Sequence, residues 1–400
     1  MKINTDPKKI DEILERGTIV NILPTKKEFR DRLLNGKPMR FYIGFDATSP
    51  TLHLSHAKNL ILLEKFRKLG HEVVVLFGDF TARIGDPSGE SLTRKQLSRE
   101  DVLSNVENWK KLIKPLMDFE AKENPPKIMY NHDWLSKLNF EDIINLASNF
   151  TVQQIIERDM FQKRLKEEKP IYLHEFLYPL MQGYDSVVID VDVEVCGTDQ
   201  IFNALAGRTL LKKIKNKDKF VVAVTLMENP KNGELMSKSK GTGVFLDVLP
   251  NDMYGQIMAQ PDEMMKILFI NDTLLSLEEI ENLMKLESPK DIKMRLAYEI
   301  VKIYHGSEIA KKAQENFTNT FQKGGLPENI EEIKTESGKS IMELLVEKKI
   351  VASKSDFRRL ITENAVSNAV SGEKITDVNF KISENITLKV GKKRFVKIII

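Results

Sequence analysis

The sequence predicts an α/β protein whose first part is built around a parallel sheet and whose later part is mainly helical. Residues 40–77 follow the order strand, helix, strand, and the second strand, 71–77, is a continuous apolar run typical of a sheet covered on both faces. The segments 42–56 and 78–89 lie at the carboxyl ends of these strands, where open parallel sheets bind ligands. The 400 residues exceed the size of one common core, so two or three domains are expected.

The individual elements follow from the spacing of apolar residues. Helices are expected where apolar residues recur every three or four positions, and strands where they are continuous or alternate. In the first part the predicted helices span 7–16, 25–34, 55–69, 100–117, 140–166, 172–185 and 200–213. The predicted strands span 40–45, 71–77, 127–130, 187–196 and 220–226. Further helices between 250 and 320 predict a separate helical bundle.

Composition excludes several classes of protein. With 41% apolar and 30% charged residues the chain is globular rather than disordered. The single cysteine, Cys196, rules out a disulfide framework and a cysteine-based zinc cluster, which fits a reducing compartment. No apolar run has the length of a membrane span, and the first residues lack the pattern of a secretion signal. A cytoplasmic protein that does not enter a membrane is therefore expected.

Charge is concentrated near the end of the chain. Residues 340–400 contain 12 Lys and Arg against 7 Asp and Glu, a net charge of +5, so that the rest of the chain carries −2. A small basic module on a nearly neutral body favours a polyanionic partner over a merely soluble surface.

Three further segments place polar residues where a ligand could bind. His53 and His56 stand at the start of a predicted helix, where backbone N–H groups and the helix dipole favour anions. Tyr178, Gln182 and Asp185 share one face of an otherwise apolar helix, which indicates a polar pocket. Residues 234–243 contain a Lys-Ser-Lys loop beside glycines, which has the chemistry of a phosphate clamp.

These motifs together resemble a known family. His53-Leu-Ser-His56 and Leu235-Met-Ser-Lys-Ser239 are similar to the two signatures of class I aminoacyl-tRNA synthetases. The motif around Tyr178 and three further motifs are similar to those of the bacterial-type tyrosyl-tRNA synthetases, and the resemblance covers essentially the whole chain. The three further motifs are Tyr42-x-Gly44-Phe45-Asp46-x-Thr48, Gly85-Asp86-Pro87-Ser88-Gly89 and Gly197-x-Asp199-Gln200. The resemblance implies a Rossmann-like catalytic domain that forms tyrosyl-adenylate from L-tyrosine and ATP and transfers the tyrosine to tRNA(Tyr).

The resemblance also implies a role for each motif residue on the amino-acid side. Tyr42 and Asp185 would hydrogen-bond the phenolic hydroxyl of the substrate tyrosine. Its ammonium would bind Asp86, Tyr178 and Gln182. The remaining residues on this side are Gln200, near the substrate carboxylate, and Asp46, which supports the pocket.

On the nucleotide side, Asp199 and His56 would hold the ribose of ATP, and Gly44 and Gly197 would give the nucleotide room. The β- and γ-phosphates would be held by a separate set with Mg2+ bridging and no protein metal site. That set consists of Thr48, His53, Lys238 and Lys240.

The resemblance divides the chain into functional parts. Residues 1–246 would form the catalytic domain, with an inserted segment at about 125–190 through which a homodimer forms. Residues 247–323 would bind the anticodon arm, and 324–338 would be a linker. Residues 339–400 resemble the S-four type of RNA-binding domain. Its RNA-binding residues would be Arg358, Arg359, Lys392, Lys393 and Arg394.

Other interpretations remain open on the sequence. A tryptophanyl-tRNA synthetase shares the fold, but would not be expected to pair Tyr42 with Asp185 around a phenol. A nucleotidyltransferase that makes a cofactor also uses a His-x-x-His helix start, but the helical bundle and basic tail argue against it. A synthetase-like RNA-binding protein without catalysis is the non-enzyme alternative. Its indications are Ser55 and Leu235, which replace a glycine and a lysine of the family signatures.

Overall fold

The chain forms two compact units in a computed structural model. The structure describes residues 2–85, 97–236, 242–322, 330–391 and 394–400. The first unit comprises residues 1–310 and the second 311–400.

The first unit is built around a six-stranded sheet in the order β1-β6-β5-β2-β3-β4. Neighbouring strands are parallel except that β1 is antiparallel to β6. The chain passes from β2 to β3 to β4 on one side and then returns to place β5 on the other side of β2. This reversal between β2 and β5 opens a crevice at the carboxyl ends of the strands. The strands are β1 Ile19–Leu23, β2 Arg40–Phe45, β3 Glu72–Phe77, β4 Lys127–Tyr130, β5 Val193–Gly197 and β6 Phe220–Val224.

The helices of the first unit cover the sheet and continue beyond it. Up to β6 they are α1 Pro7–Glu15, α2 Lys26–Leu34, α3 Leu54–Lys68, α4 Thr81–Ile84, α5 Arg99–Ile113, α6 His132–Leu135, α7 Phe140–Ala147, α8 Val152–Ile156, α9 Asp159–Lys166, α10 Tyr178–Ile189 and α11 Ile201–Lys215. After β6 they are α12 Pro250–Met258, α13 Met265–Asp272, α14 Leu277–Met284, α15 Pro289–His305 and α16 Ser307–Gln322, the last of which runs into the second unit. Short 3-10 turns occupy Leu173–Phe176, Thr198–Gln200 and Asp262–Met264.

An aromatic cluster fixes α2 and α3 on the sheet. Phe29 of α2 lies 6.2 Å from Phe41 of β2 and 6.1 Å from Phe66 of α3, measured between ring centroids. Phe41 and Phe66 stack at 4.4 Å, and all three side chains are fully buried. Because such rings contribute large apolar areas, the cluster fixes the last turn of α3 against the start of β2.

Most predicted elements are confirmed to within a few residues, but the predicted strand over 187–196 is wrong in its first half. Residues Val187 and Ile189 still belong to α10, where both side chains are buried against Leu210 and Leu211 of α11. Asp190 then adopts a left-handed conformation, with φ of 57°, which ends the helix before β5 begins. Strand β1 was not expected, because its short apolar run is half exposed at the sheet edge.

Up to residue 310 the helices after β6 lie in the same compact unit as the sheet. The guanidinium of Arg16, which is 4% exposed, donates to the backbone carbonyls of Ile270, Thr273 and Leu275 at 2.7–2.8 Å. A buried arginine bonded in this way ties the N-terminal helix to the end of α13. A functional boundary at 246/247 stays a prediction.

The second unit has its own four-stranded sheet in the order β7-β10-β9-β8. Only the β7–β10 pair is parallel. Its strands are β7 Glu331–Lys334, β8 Val366–Asn368, β9 Ile386–Val390 and β10 Arg394–Ile399, and its helices after α16 are α17 Ile341–Glu347 and α18 Lys354–Thr362. The core contains Leu344, Phe357 and Val396, each no more than 1% exposed. This α+β domain was expected, but the predicted linker over 324–338 is wrong where it includes β7.

Candidate active site

A cavity of about 300 Å³ lies at the carboxyl ends of β2 and β5, at the reversal of strand order. Helices α3 and α10 each contribute a set of polar side chains to its lining. The α3 wall consists of Ser55, His56, Lys58 and Asn59, and the α10 wall consists of Tyr178, Gln182 and Asp185. A mixture of apolar lining and a few directed polar groups is typical of small-molecule sites.

On the α10 wall, the Asp185 carboxylate is held by two donors from the segment after β4. The Trp134 indole N–H donates to one oxygen at 2.8 Å, and the Asn131 side-chain amide donates to the other at 3.3 Å. Asp185 is only 3% exposed, and this burial raises its pKa well above the usual value although both hydrogen bonds act in the opposite direction. The result is a fixed acceptor that a ligand hydroxyl or N–H could satisfy.

A second carboxylate, Asp46 at the end of β2, organises the neighbouring part of the cavity. It accepts hydrogen bonds from the Tyr178 hydroxyl at 2.8 Å and from the Thr81 hydroxyl at 2.7 Å. The Thr81 hydroxyl accepts in turn from Asn131 at 3.0 Å, which links Asp46 to the Asp185 group. Gly78 permits this arrangement, because a β-carbon there would lie 2.0 Å from an Asp46 oxygen.

A buried ion pair fixes the orientation of the Gln182 side chain. The Lys219 ammonium pairs with the Glu194 carboxylate and donates to the Ser186 hydroxyl at 2.7 Å. Both charged side chains are 1% exposed. The other Glu194 oxygen accepts from the Gln182 amide at 2.9 Å, so the pair fixes the orientation of a residue that faces the cavity.

The amides beyond Gln182 form a chain toward the end of β5. The side-chain amide of Asn203 donates to the side-chain oxygen of Gln182 at 3.0 Å and to the side-chain oxygen of Gln200 at 2.7 Å. The Gln200 amide nitrogen then donates to Asp199 at 3.2 Å. A β-carbon at Gly197 would lie 2.3 Å from an Asp199 oxygen, so glycine lets this carboxylate fold back over the strand end.

The two histidines at the start of α3 are neutral. Burial lowers the pKa of His53 to about 4 and, together with the charge of His53, lowers the pKa of His56 to about 3. Their rings lie 4.2 Å apart between centroids in an edge-to-face arrangement. The His53 Nδ1 atom is buried without a hydrogen-bond partner among the described residues.

Most of the residues predicted for the site are brought together by the fold. Those that line the cavity are Gly44, Asp46, His56, Tyr178, Gln182, Asp185, Gly197, Asp199 and Gln200. Thr48 and His53 are not among the lining residues but lie just before the α3 wall. The predicted residues Asp86, Lys238 and Lys240 lie outside the described residues.

Tyr42 is the remaining described residue predicted for the amino-acid side of the site. It is fully buried, does not line the cavity, and its hydroxyl lies 3.2 Å from the Ser186 hydroxyl beside the Lys219–Glu194 pair. Burial and the Glu194 charge raise its pKa well above the usual value, so the phenol stays protonated. Contact between Tyr42 and the substrate phenol stays a prediction.

Several site residues were not found from the sequence. Asn131 and Trp134 follow the short strand β4, and the rule that drew attention to other strand ends could have indicated them. Glu194 lies on β5 and Lys219 directly precedes the adjacent parallel strand β6, so their pairing depends on strand order, which the sequence does not give.

In the second unit, Arg358 and Arg359 are exposed on α18, and Arg394 is exposed at the start of β10. Arg394 also donates to the backbone carbonyl of Ile350 at 3.1 Å. The predicted residues Lys392 and Lys393 lie outside the described part of the chain. Three of the five predicted RNA-binding residues are thus exposed to solvent.

Within the described residues, no helix is both long and apolar enough to cross a membrane. No group of three or more His, Cys, Asp or Glu side chains in the described ranges is arranged to hold a metal ion.

Comparison with known proteins identifies the family. Residues 34–322 match the family model described as class I tRNA synthetases (W and Y), and residues 323–398 match the C-terminal domain model of SYY-like tyrosine–tRNA ligases. Curated relatives named tyrosine–tRNA ligase include the protein of Carboxydothermus hydrogenoformans, 41% identical over 97% of both chains. That of Thermotoga maritima is 40% identical over 98% of both.

Solved structures share the fold at lower identity. A C-terminally truncated mitochondrial tyrosyl-tRNA synthetase from Aspergillus nidulans has a TM-score of 0.67 at 22% identity, covering 78% of this chain and 94% of that one. A tyrosyl-tRNA synthetase from Archaeoglobus fulgidus complexed with L-tyrosine has a TM-score of 0.59 at 19% identity, covering 77% of this chain and 100% of that one. With the family models matched from residue 34 to 398, the chain belongs to the class I tRNA synthetases of the tryptophan and tyrosine family.

Proposed function

We propose that the protein is a tyrosine–tRNA ligase, which activates L-tyrosine with ATP to tyrosyl-adenylate and pyrophosphate and then transfers tyrosine to the 3′-terminal ribose of tRNA(Tyr). The curated relatives at about 40% identity support this assignment, as does the match of residues 323–398 to a domain of tyrosine enzymes. The structural observation that carries it is the buried Asp185 carboxylate, held on the cavity wall by Trp134 and Asn131.

The amino-acid subsite is proposed on the α10 wall. The phenolic O–H of tyrosine would donate to Asp185, and phenylalanine would leave this buried carboxylate without that partner, at a cost of about 1–3 kcal/mol or more for a charged group. The substrate ammonium would lie near Tyr178, Gln182 and Asp86. Gln200 would face the substrate carboxylate, and Asp46 would keep the Tyr178 hydroxyl in place.

The nucleotide subsite is proposed between the α3 wall and the end of β5. His56 and Asp199 would hold the ribose, and the space at Gly44 and Gly197 would admit the nucleotide. Thr48, His53, Lys238 and Lys240 would bind the β- and γ-phosphates. Mg2+ would enter with ATP as part of the substrate. Neutral imidazoles suit this position, because each has one N–H donor for an anionic oxygen.

The proposed chemistry needs positioning rather than a protein nucleophile. The tyrosine carboxylate attacks the α-phosphorus of ATP in line, and pyrophosphate leaves from the opposite side. Rate enhancement then comes from holding the two substrates at the correct angle and from stabilising charge on the leaving phosphates. The fixed carboxylates and amides of the α10 wall supply the first of these contributions.

The partner in the second step is proposed to be tRNA(Tyr). Helices after β6 would contact the anticodon arm, and the exposed arginines of the second unit, with Lys392 and Lys393, would bind RNA phosphates. Because its proposed substrates are those of translation, we propose that the protein acts in the cytoplasm.

A homodimer is proposed through the segment at about 125–190. Large apolar side chains in this segment are solvent-exposed in the single chain, which is unusual unless another surface covers them. They include Phe140 at 77%, Ile144 at 52%, Val152 at 61%, Tyr172 at 52% and Leu173 at 79% exposure.

ATP–pyrophosphate exchange with each amino acid separately tests the assignment. Exchange that depends on tyrosine and is followed by charging of tRNA(Tyr) is expected. Because an acceptor carboxylate could also bind the indole N–H of tryptophan, exchange with tryptophan alone would assign the chain to the sister enzyme. No exchange with any amino acid, from protein that still binds tRNA, would support the non-catalytic alternative.

A further inference from the structure

The α3 wall contains a buried lysine that none of the roles above uses. Lys58 lines the cavity and is only 2% exposed. Its ammonium donates to the side-chain oxygen of the adjacent Asn59 at 2.7 Å, and Asn59 also lines the cavity. An ammonium group is costly to bury, so a lysine in this position requires compensating charges or a ligand.

Two carboxylates favour the charged form of Lys58. Burial lowers its pKa to about 8, while Asp272 at the end of α13 and Asp199 after β5 act in the opposite direction. The neighbouring His56 on the same helix is neutral, so it adds no competing charge at neutral pH. Lys58 therefore remains mainly protonated at pH 7 and loses its proton within the mildly alkaline range.

No hydrogen bond among the described residues accounts for the burial of the Asp272 carboxyl group. It is 1% exposed, and neither carboxylate oxygen has a hydrogen-bond partner among the described residues. Burial raises its pKa, and the charge of Lys58 is the effect that opposes this rise. Asp272 does not line the cavity.

We propose that the Lys58 ammonium binds the nucleotide half of the substrate. An ammonium group has three donors, and Asn59 accepts one. A nucleotide offers acceptors at its ribose oxygens, α-phosphate and ring nitrogens. Because Lys58 lies on the wall with His56 rather than with Asp185, it acts on ATP and not on tyrosine. The assignment of the two ends of the cavity rests on the proposed function.

The test compares Michaelis constants for the two substrates in pyrophosphate exchange. For Lys58→Met we expect KM for ATP to rise about 10- to 100-fold, the range for losing one charge-assisted hydrogen bond, and KM for tyrosine to change less than twofold. Lys65→Met is the matched control. Lys65 lies two turns further along α3, and burial lowers its pKa to about 8 as well, but it does not line the cavity. Both constants should be unchanged in this control.

A second variant guards against misfolding. Lys58→Met alone leaves Asp272 buried without its partner, whereas Lys58→Met/Asp272→Asn is neutral at both positions and should fold. The double variant should show the same selective rise in KM for ATP. A change below twofold, or equal rises in both constants, would overturn the proposal.

The pH dependence of KM for ATP in the wild type is an independent test of the role of Lys58. KM for ATP should rise between pH 7.5 and 9.5 as Lys58 loses its proton, and the profile should be flat in the double variant. Asp272→Asn alone should move the rise to lower pH, because Asp199 then remains as the one carboxylate that favours the charged form. A wild-type profile identical to that of the double variant would contradict the role of Lys58. Absence of any tyrosine-dependent exchange in the wild type would instead contradict the proposed function.

Discussion

Replacement of Lys219 by methionine should strongly destabilise the first unit. Lys219 and Glu194 form an ion pair in which both side chains are 1% exposed, and the methionine would leave the Glu194 carboxylate buried with neutral partners only. Removing one member of a buried ion pair typically costs about 3–5 kcal/mol. Because Glu194 keeps its bonds from Gln182 and Ser186, we expect a loss near the lower limit, about 3 kcal/mol.

Urea unfolding followed by tryptophan fluorescence would measure this loss. The chain has two tryptophans, Trp109 and Trp134, and both lie in the first unit. The variant Lys219→Met/Glu194→Gln removes both charges and should recover at least half of the lost stability, since a pair of neutral groups avoids the unpaired carboxylate. As a control, Lys217→Met breaks only half-exposed contacts with Asp190 and Asp192 and should cost less than about 1 kcal/mol. A cost for Lys219→Met that is no larger than this control, or additive effects in the double variant, would refute the reasoning.

Three other predictions concern selection, pH and RNA. Trp134→Phe removes the indole donor to the carboxylate of the α10 wall and should raise KM for tyrosine about tenfold with KM for ATP unchanged, which steady-state exchange would measure. Burial lowers the pKa values of His53 and His56 from the usual 6.5 to about 4 and about 3. As the pH falls below 6.5 the unfolded chain therefore binds protons that the folded chain does not, and this favours unfolding. Thermal unfolding should show that the stabilising contribution is complete above pH 6.5 and decreases as the pH approaches 4. Arg358→Ala/Arg359→Ala should weaken tRNA binding, and adenylate formation should be unaffected. In filter-binding titrations, the slope of log affinity against log salt concentration should fall by the equivalent of about two phosphate contacts. A slope equal to that of the wild type would show that these arginines do not contact RNA.

The elements that carry the site were largely predictable, because their signals are local. The apolar run of β3, the histidine-containing start of α3 and the polar face of α10 each follow from periodicity within one segment. Their convergence followed from the rule that ligands bind at the carboxyl ends of parallel strands.

What could not be predicted depends on contacts between distant segments. Tyr42 occurs in the expected motif, yet its hydroxyl faces Ser186 and a charge pair whose members come from β5 and the start of β6. The link between Lys58 and Asp272 likewise requires the packing of α13 against α3, and their separation in sequence gives no indication of it. Such pairings determine which polar residues face a ligand and which are already satisfied.

Discrimination between tyrosine and phenylalanine in wild type and Asp185→Ala tests the central claim most directly. The ratio of kcat/KM values for the two amino acids in pyrophosphate exchange should favour tyrosine strongly in the wild type. In the variant the ratio should fall by about 100-fold, equivalent to roughly 3 kcal/mol, with KM for ATP nearly unchanged. An unchanged ratio in a folded variant would show that this carboxylate does not recognise the phenol.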